Sequence, residues 1–142
     1  MTKKIINILL VIIWMIIIFS FSNQPATESS KLSNSVIRNT ISKIIKNDSD
    51  EVLEKYTRPV RKLAHFSIYL VLGFLVLNCF KISKRNIIYT VLICFLYSIS
   101  DEIHQMFIDG RSSEIFDVLI DTIGSSFGVF INYTLKRKIS KK

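Results

Sequence analysis

Residues 5–22 read IINILLVIIWMIIIFSFS, a run without a single charged side chain. The hydrocarbon core of a bilayer is about 30 Å thick and takes roughly 20 apolar residues as helix. A backbone in lipid must satisfy its own hydrogen bonds, and a helix does that within one segment. This run therefore constrains the fold more than any other feature. Three further runs follow: LAHFSIYLVLGFLVLNCF (63–80), NIIYTVLICFLYSISDEIHQMFI (86–108) and FDVLIDTIGSSFGVFINY (116–133). The expectation is an all-α membrane protein, a four-transmembrane-helix bundle forming one domain over 1–142. Lys3 and Lys4 before the first run would also suit a signal peptide, with SFS at its cleavage site. The run exceeds the usual 7–15 apolar residues of such a peptide, so a retained helix is expected.

Composition fits. The chain of 142 residues is 49% hydrophobic, and Lys and Arg outnumber Asp and Glu by 19 to 11, for a formal charge of +8. Most basic residues flank apolar runs, where anionic headgroups explain them better than nucleic acid does. The lipid bilayer is the expected partner and nucleic acid is not. Cys79 and Cys94 lie inside spans with no metal-ligand spacing, as buried fillers.

Residues 23–62 form a polar outer loop. Within it KLSNSVIRNTISKIIK places Ile37, Ile41, Ile44 and Ile45 on one helical face. That predicts a short amphipathic helical segment, either on the membrane surface or packed on the bundle. Asp48 and Glu51 have capping-box spacing, and Pro59 suits the first turn of the second span. Orientation follows from Lys and Arg. The N-terminus, the link 81–85 and the tail carry ten basic residues and no acid. The link 109–115 sets only Arg111 against Asp109 and Glu114. Both termini are expected to be cytoplasmic, in a multi-pass protein of the cell membrane.

The spans carry ionisable residues that a lipid-facing helix should not. At 1.5 Å per residue, Asp101 lies about 10 Å below the outer end of the third span, Asp121 roughly 8 Å below the start of the fourth, and His65 about 6 Å below Arg61. Three helices thus place polar groups at one depth. Arg61, His65 and Tyr69 form one stripe; Asp101, His104 and Gln105, with Ser98, form a second; Asp117, Asp121, Gly124 and Gly128 form a third. The glycines in GSSFG allow close helix packing. Each ionisable group at mid-span costs about 2.5–3.5 kcal/mol unless it pairs or lines a wet cavity. Arg61, Lys62 and Arg111 stand at the rim above Asp101, Glu102, Asp117 and Asp121. Either a charge network holds the helices in register, or the residues form an outward-opening site.

Several chemistries fit such a site. Histidines with carboxylates suit a divalent cation, but no H-E-x-x-H or comparable spacing is present, and neither a metal nor another cofactor is expected. No G-x-S-x-G or S-x-x-K frames Ser112 or Ser113 as a nucleophile. Rim cations suit an anionic headgroup, with the apolar spans holding its tail. An enzyme acting on a lipid-linked substrate and a structural or accessory subunit stay open beside that binding reading, with a non-enzymatic role preferred.

RKLAHFSIYLVLGFL, DEIHQMFIDGRSSEIFDVLIDTIG and the FSNQP closing span one resemble the VanZ-like membrane proteins over nearly the whole chain. The resemblance carries over onto Arg61, Lys62, His65, Tyr69, Asp101, Glu102, Gln105, Arg111, Asp117, Asp121 and Gly124. It departs at Asp109, where Pro is expected, and at Ser113, where Gly is usual. The family's founding member is associated with low-level resistance to teicoplanin, a glycopeptide with a fatty-acyl tail. The resemblance implies a cell-envelope protein of a Gram-positive bacterium that engages an amphiphilic, wall-related ligand and contributes to antibiotic resistance. Some relatives are labelled phosphotransbutyrylases, yet no acyl-phosphate or coenzyme A site is evident here.

Overall fold

The computed structural model describes residues 2–41, 50–111 and 114–139. These form five α-helices: α1 (Thr2–Ser22), α2 (Ala26–Val36), α3 (Asp50–Asn78), α4 (Lys84–Gln105) and α5 (Ile115–Ile139), with a π-helical turn Ile37–Ile41 continuing α2. Helices α1, α3, α4 and α5 are each long and apolar enough to cross a membrane. Large apolar side chains stay exposed along them, such as Ile13, Leu63, Ile88, Leu96, Phe116 and Phe130. In water so much apolar surface would be a liability; in lipid it is the solvent-facing belt. The chain is a multi-pass membrane protein.

Local chemistry sets the helix ends. Pro25 follows Ser22 by three positions and blocks continuation of α1, and α2 starts immediately after it. Ser83 caps α4, its hydroxyl accepting from the Asn86 backbone N–H at 3.1 Å. After Gln105 the chain turns tightly, with Gly110 at φ +73, a conformation that suits a residue without Cβ. The buried carboxylate of Glu102 accepts the Glu114 backbone N–H at 2.6 Å, capping α5 from the neighbouring helix. Lys136, Arg137 and Lys138 close α5, where cations favour the helix dipole.

The expected elements shift in three places. The second span is not confined to 63–80: α3 begins at Asp50, so the polar loop 23–62 is largely helical, and Pro59 stands inside α3. The upstream turn of α3 continues through it, at the expense of one backbone hydrogen bond. The third span ends at Gln105, three residues short of 108, because the chain enters the turn there. The amphipathic segment is helical from Ala26, with Ile37 fully buried but Leu32 and Val36 exposed. Its Ile44 and Ile45, like Asp48 and Ser112–Ser113, lie outside the described residues, as does the side chain of Ile41.

Helices α3 and α5 pack backbone to backbone. A Cβ added at Gly124 would overlap the Phe66 carbonyl, one at Gly128 the Leu70 carbonyl, and one at Gly73 the Ser125 carbonyl. Such small-residue contacts replace the hydrophobic drive that lipid removes. At the end nearer the α3–α4 turn, neutral amides tie the helices. Asn132 Nδ2 donates to Phe74 O at 2.7 Å and Asn78 Oδ1 at 2.9 Å, and Asn7 Nδ2 donates to Asn78 O at 2.9 Å. Helix α1 docks through Trp14 Nε1 on Ile68 O at 2.9 Å, and Tyr97 Oη on α4 donates to Met15 O at 2.7 Å. Ile18, Tyr69, Leu72, Val76 and Cys94 form the apolar core between them. With Cys94 fully buried and Cys79 half-buried, both thiols are free.

Candidate functional site

At the other end, nearer the α4–α5 turn, side chains from all four long helices converge. His65 (α3), Asp101 (α4) and Asp121 (α5) are buried at 8%, 4% and 1% exposure, with Ser22 (α1) beside them at 2%. The Ser22 hydroxyl donates to Asp101 Oδ2 at 2.8 Å, and Gln105 Nε2 reaches the same oxygen at 3.2 Å. Ser98 donates to Asp121 Oδ2 at 3.0 Å. His65 Nδ1 faces Asp121 Oδ1 at 3.5 Å. One atom from each of His65, Asp101 and Asp121 lies within 4.8 Å of the others, so these are the residues able to hold a cation.

A second cluster lies above. Lys62 Nζ meets Glu114 Oε2 at 3.0 Å and Asp117 Oδ1 at 3.4 Å. The Lys62 ammonium holds the Glu114 carboxyl below its usual range. Arg111 donates to Gln24 O (3.0 Å), Phe21 O (3.1 Å) and Gln105 Oε1 (2.9 Å), tying the α4–α5 turn to the end of α1. Burial, and then the like charge of Arg61, lower the Arg111 guanidinium from its usual value; an arginine stays charged nonetheless.

Between α1, α2 and α3 a cleft of about 400 Å³ opens beside this cluster. Leu32, Val36, Val60, Ala64 and Ile68 give it apolar walls, Arg61 and Arg111 line it too, and Ser22 and His65 connect it to the buried carboxylates. Arg61 is half-buried and makes no hydrogen bond or close ion pair among the described residues.

The sequence stripes fare differently. His65 and Tyr69 turn inward and Arg61 toward the cleft, as one stripe. On α4, Ser98, Asp101 and Gln105 face in together, whereas His104 turns out. Its Nε2 stands 3.3 Å from Asn23 Oδ1, and its ring stacks on Phe19 with centroids 4.5 Å apart. At about 100° per residue, His104 lies some 100° from the centre of the face that Ser98, Asp101 and Gln105 share. Lys62 and Arg111 do not reach Asp101 or Asp121; hydroxyls, an amide and His65 do. Sequence reasoning missed Ser22, within the FSNQP motif, and the pairing role of Glu114. It also missed Gly73, whose only signal was a lone glycine in an apolar helix.

The VanZ/LLP1 family model matches residues 7–136, which takes in most or all of each long helix and the whole cluster. No curated protein and no solved structure matches the chain. On a match covering nearly its whole length, the chain belongs to the VanZ/LLP1 family.

Proposed function

We propose that the cleft binds an amphiphile with an anionic headgroup, a lipid-linked wall intermediate or an acyl-tailed glycopeptide such as teicoplanin. The observation that carries this is the pairing of two guanidiniums with an apolar cleft. Arg61 and Arg111 line one cleft, and a phosphate or carboxylate bound there offsets their like charges, with the Arg61 guanidinium available to donate hydrogen bonds to it. The walls from Leu32 to Ile68 suit an acyl or prenyl chain. Lys62, Glu102 and Asp117 brace the α4–α5 turn, and the buried Asp101, Gln105 and Asp121 lie behind Ser22 and His65, the two lining residues through which the cleft meets this polar floor. Tyr69 backs that floor.

In this reading the cleft faces the outer leaflet, both termini are cytoplasmic, and the protein lowers teicoplanin susceptibility in a Gram-positive envelope. The test is susceptibility of a sensitive host expressing wild type, Asp101→Asn or Asp121→Asn at matched membrane levels. Protection against teicoplanin but not vancomycin, lost in both variants, is expected. Equal protection by wild type and both variants contradicts the role given to the polar floor.

A further inference from the structure

The buried carboxylates have an arrangement that the amphiphile reading does not use. His65 Nδ1, Asp101 Oδ1 and Asp121 Oδ1 are buried without a hydrogen-bond partner among the described residues. The opposite oxygen of each Asp is held: Asp101 Oδ2 by Ser22 and Gln105, Asp121 Oδ2 by Ser98. Each carboxylate is thus held through one oxygen and keeps its other oxygen free of hydrogen bonds, that of Asp121 standing 3.5 Å from His65 Nδ1. That is how outer hydrogen bonds orient metal ligands. The fully buried Tyr69 lies one turn from His65 on the same face of α3.

Charge points the same way. Lys62 is engaged by Glu114 and Asp117, and Arg111 by Gln105 and two carbonyls. Arg111 keeps its charge within electrostatic reach of Asp101, but the one basic side chain in contact with either carboxylate among the described residues is His65. A divalent cation held directly between the two carboxylates offsets both. Ligands at about 2.1 Å from one cation stand up to about 4.2 Å apart, so small side-chain rotations would close the observed 4.8 Å cluster.

We infer that His65, Asp101 and Asp121 form a binding site for one divalent transition-metal cation, joining α3, α4 and α5. The imidazole selects against Mg²⁺ and Ca²⁺, and the two carboxylates suit Zn²⁺ or Mn²⁺. His65 and Ser22 line the cleft, so the open coordination positions face it. A bound cation there supplies a third positive group to an anionic headgroup. Metal binding itself stands independently of the amphiphile reading.

The test uses the full chain in detergent, stripped with EDTA, loaded with Zn²⁺ or Mn²⁺, desalted and assayed for metal content. One equivalent of at least one of these ions is expected, with a higher Tm for the loaded protein. Asp121→Asn and His65→Gln should weaken binding at least about tenfold, and His104→Gln should keep one equivalent. Should the first two fail to fold, X-ray absorption on metal-loaded His104→Gln decides: one imidazole among oxygen ligands is expected. No stoichiometric binding of either ion by folded wild type, full binding by folded Asp121→Asn, or a metal without an imidazole ligand overturns the proposal.

Discussion

The bundle carries two polar layers, one at each end, and they are built differently. Near the α3–α4 turn, Asn7, Asn78 and Asn132 join helices through neutral amides that donate to carbonyl oxygens. Near the α4–α5 turn the polar groups are ionisable. Among the described residues His65, Asp101, Asp117 and Asp121 each keep a buried atom without a hydrogen bond, against Asn132 Oδ1 alone among the amides of the other layer. Amide ties are sufficient for helix registration in lipid, where interhelical hydrogen bonds contribute about 0.6 kcal/mol on average. A layer meant only for registration has no need of His65, Asp101 and Asp121, each costlier to bury than an amide. The contrast supports the proposal that the second layer engages a ligand while the first positions helices.

The largest expected effect breaks both layers together. Gly128→Leu places a side chain against the Leu70 carbonyl, and backbone cannot move aside cheaply. Forcing α3 from α5 should cost on the order of 3 kcal/mol, read as loss of monodisperse protein and a lower Tm in detergent. Next, Asp121→Asn should separate the layers, abolishing protection against teicoplanin while leaving Tm unchanged or raised, since an ionisable group leaves the bundle. A large fall in Tm with function intact would instead make this layer structural. Asn132→Leu is the reciprocal change. It should lower stability by about 1 kcal/mol through the lost ties to Phe74 and Asn78, with ligand binding and metal content retained.

The smallest effect concerns the rim. Because Lys62 lowers the folded-state pKa of Glu114, that ion pair stabilises the protein above the ordinary glutamate range, and its contribution is lost as pH falls through the depressed value. Glu114→Gln should therefore flatten the dependence of Tm on pH in the acid region below about pH 4.3, with little change at neutrality. An unchanged acid profile would show that the pair is too well solvated to matter.

Much of this architecture is legible in the chain. Apolar runs of bilayer length name the four spans, and the rise per residue alone places His65, Asp101 and Asp121 at one depth. Helical periodicity also reveals GSSFG on the packed face of α5. What periodicity cannot supply is the rotation of one helix against another. Periodicity already turns His104 off the face of Asp101, yet its stacking on Phe19 is set only by the packing of α1 against α4. Ser22 becomes a partner of Asp101 across 79 positions, a pairing no local pattern encodes. The start of α3 is masked by Pro59, which reads as a beginning, while upstream residues of good helix propensity continue the helix through it.

The central claim, that the ionisable layer and its cleft bind an amphiphilic anion, is tested most directly by native mass spectrometry of the purified chain with a polyprenyl phosphate. The account predicts a one-to-one adduct in wild type that is lost in Arg61→Gln. The Arg61 side chain makes no hydrogen bond or close ion pair among the described residues, so that variant should fold normally. Equal binding by wild type and Arg61→Gln, or none by either, would contradict it.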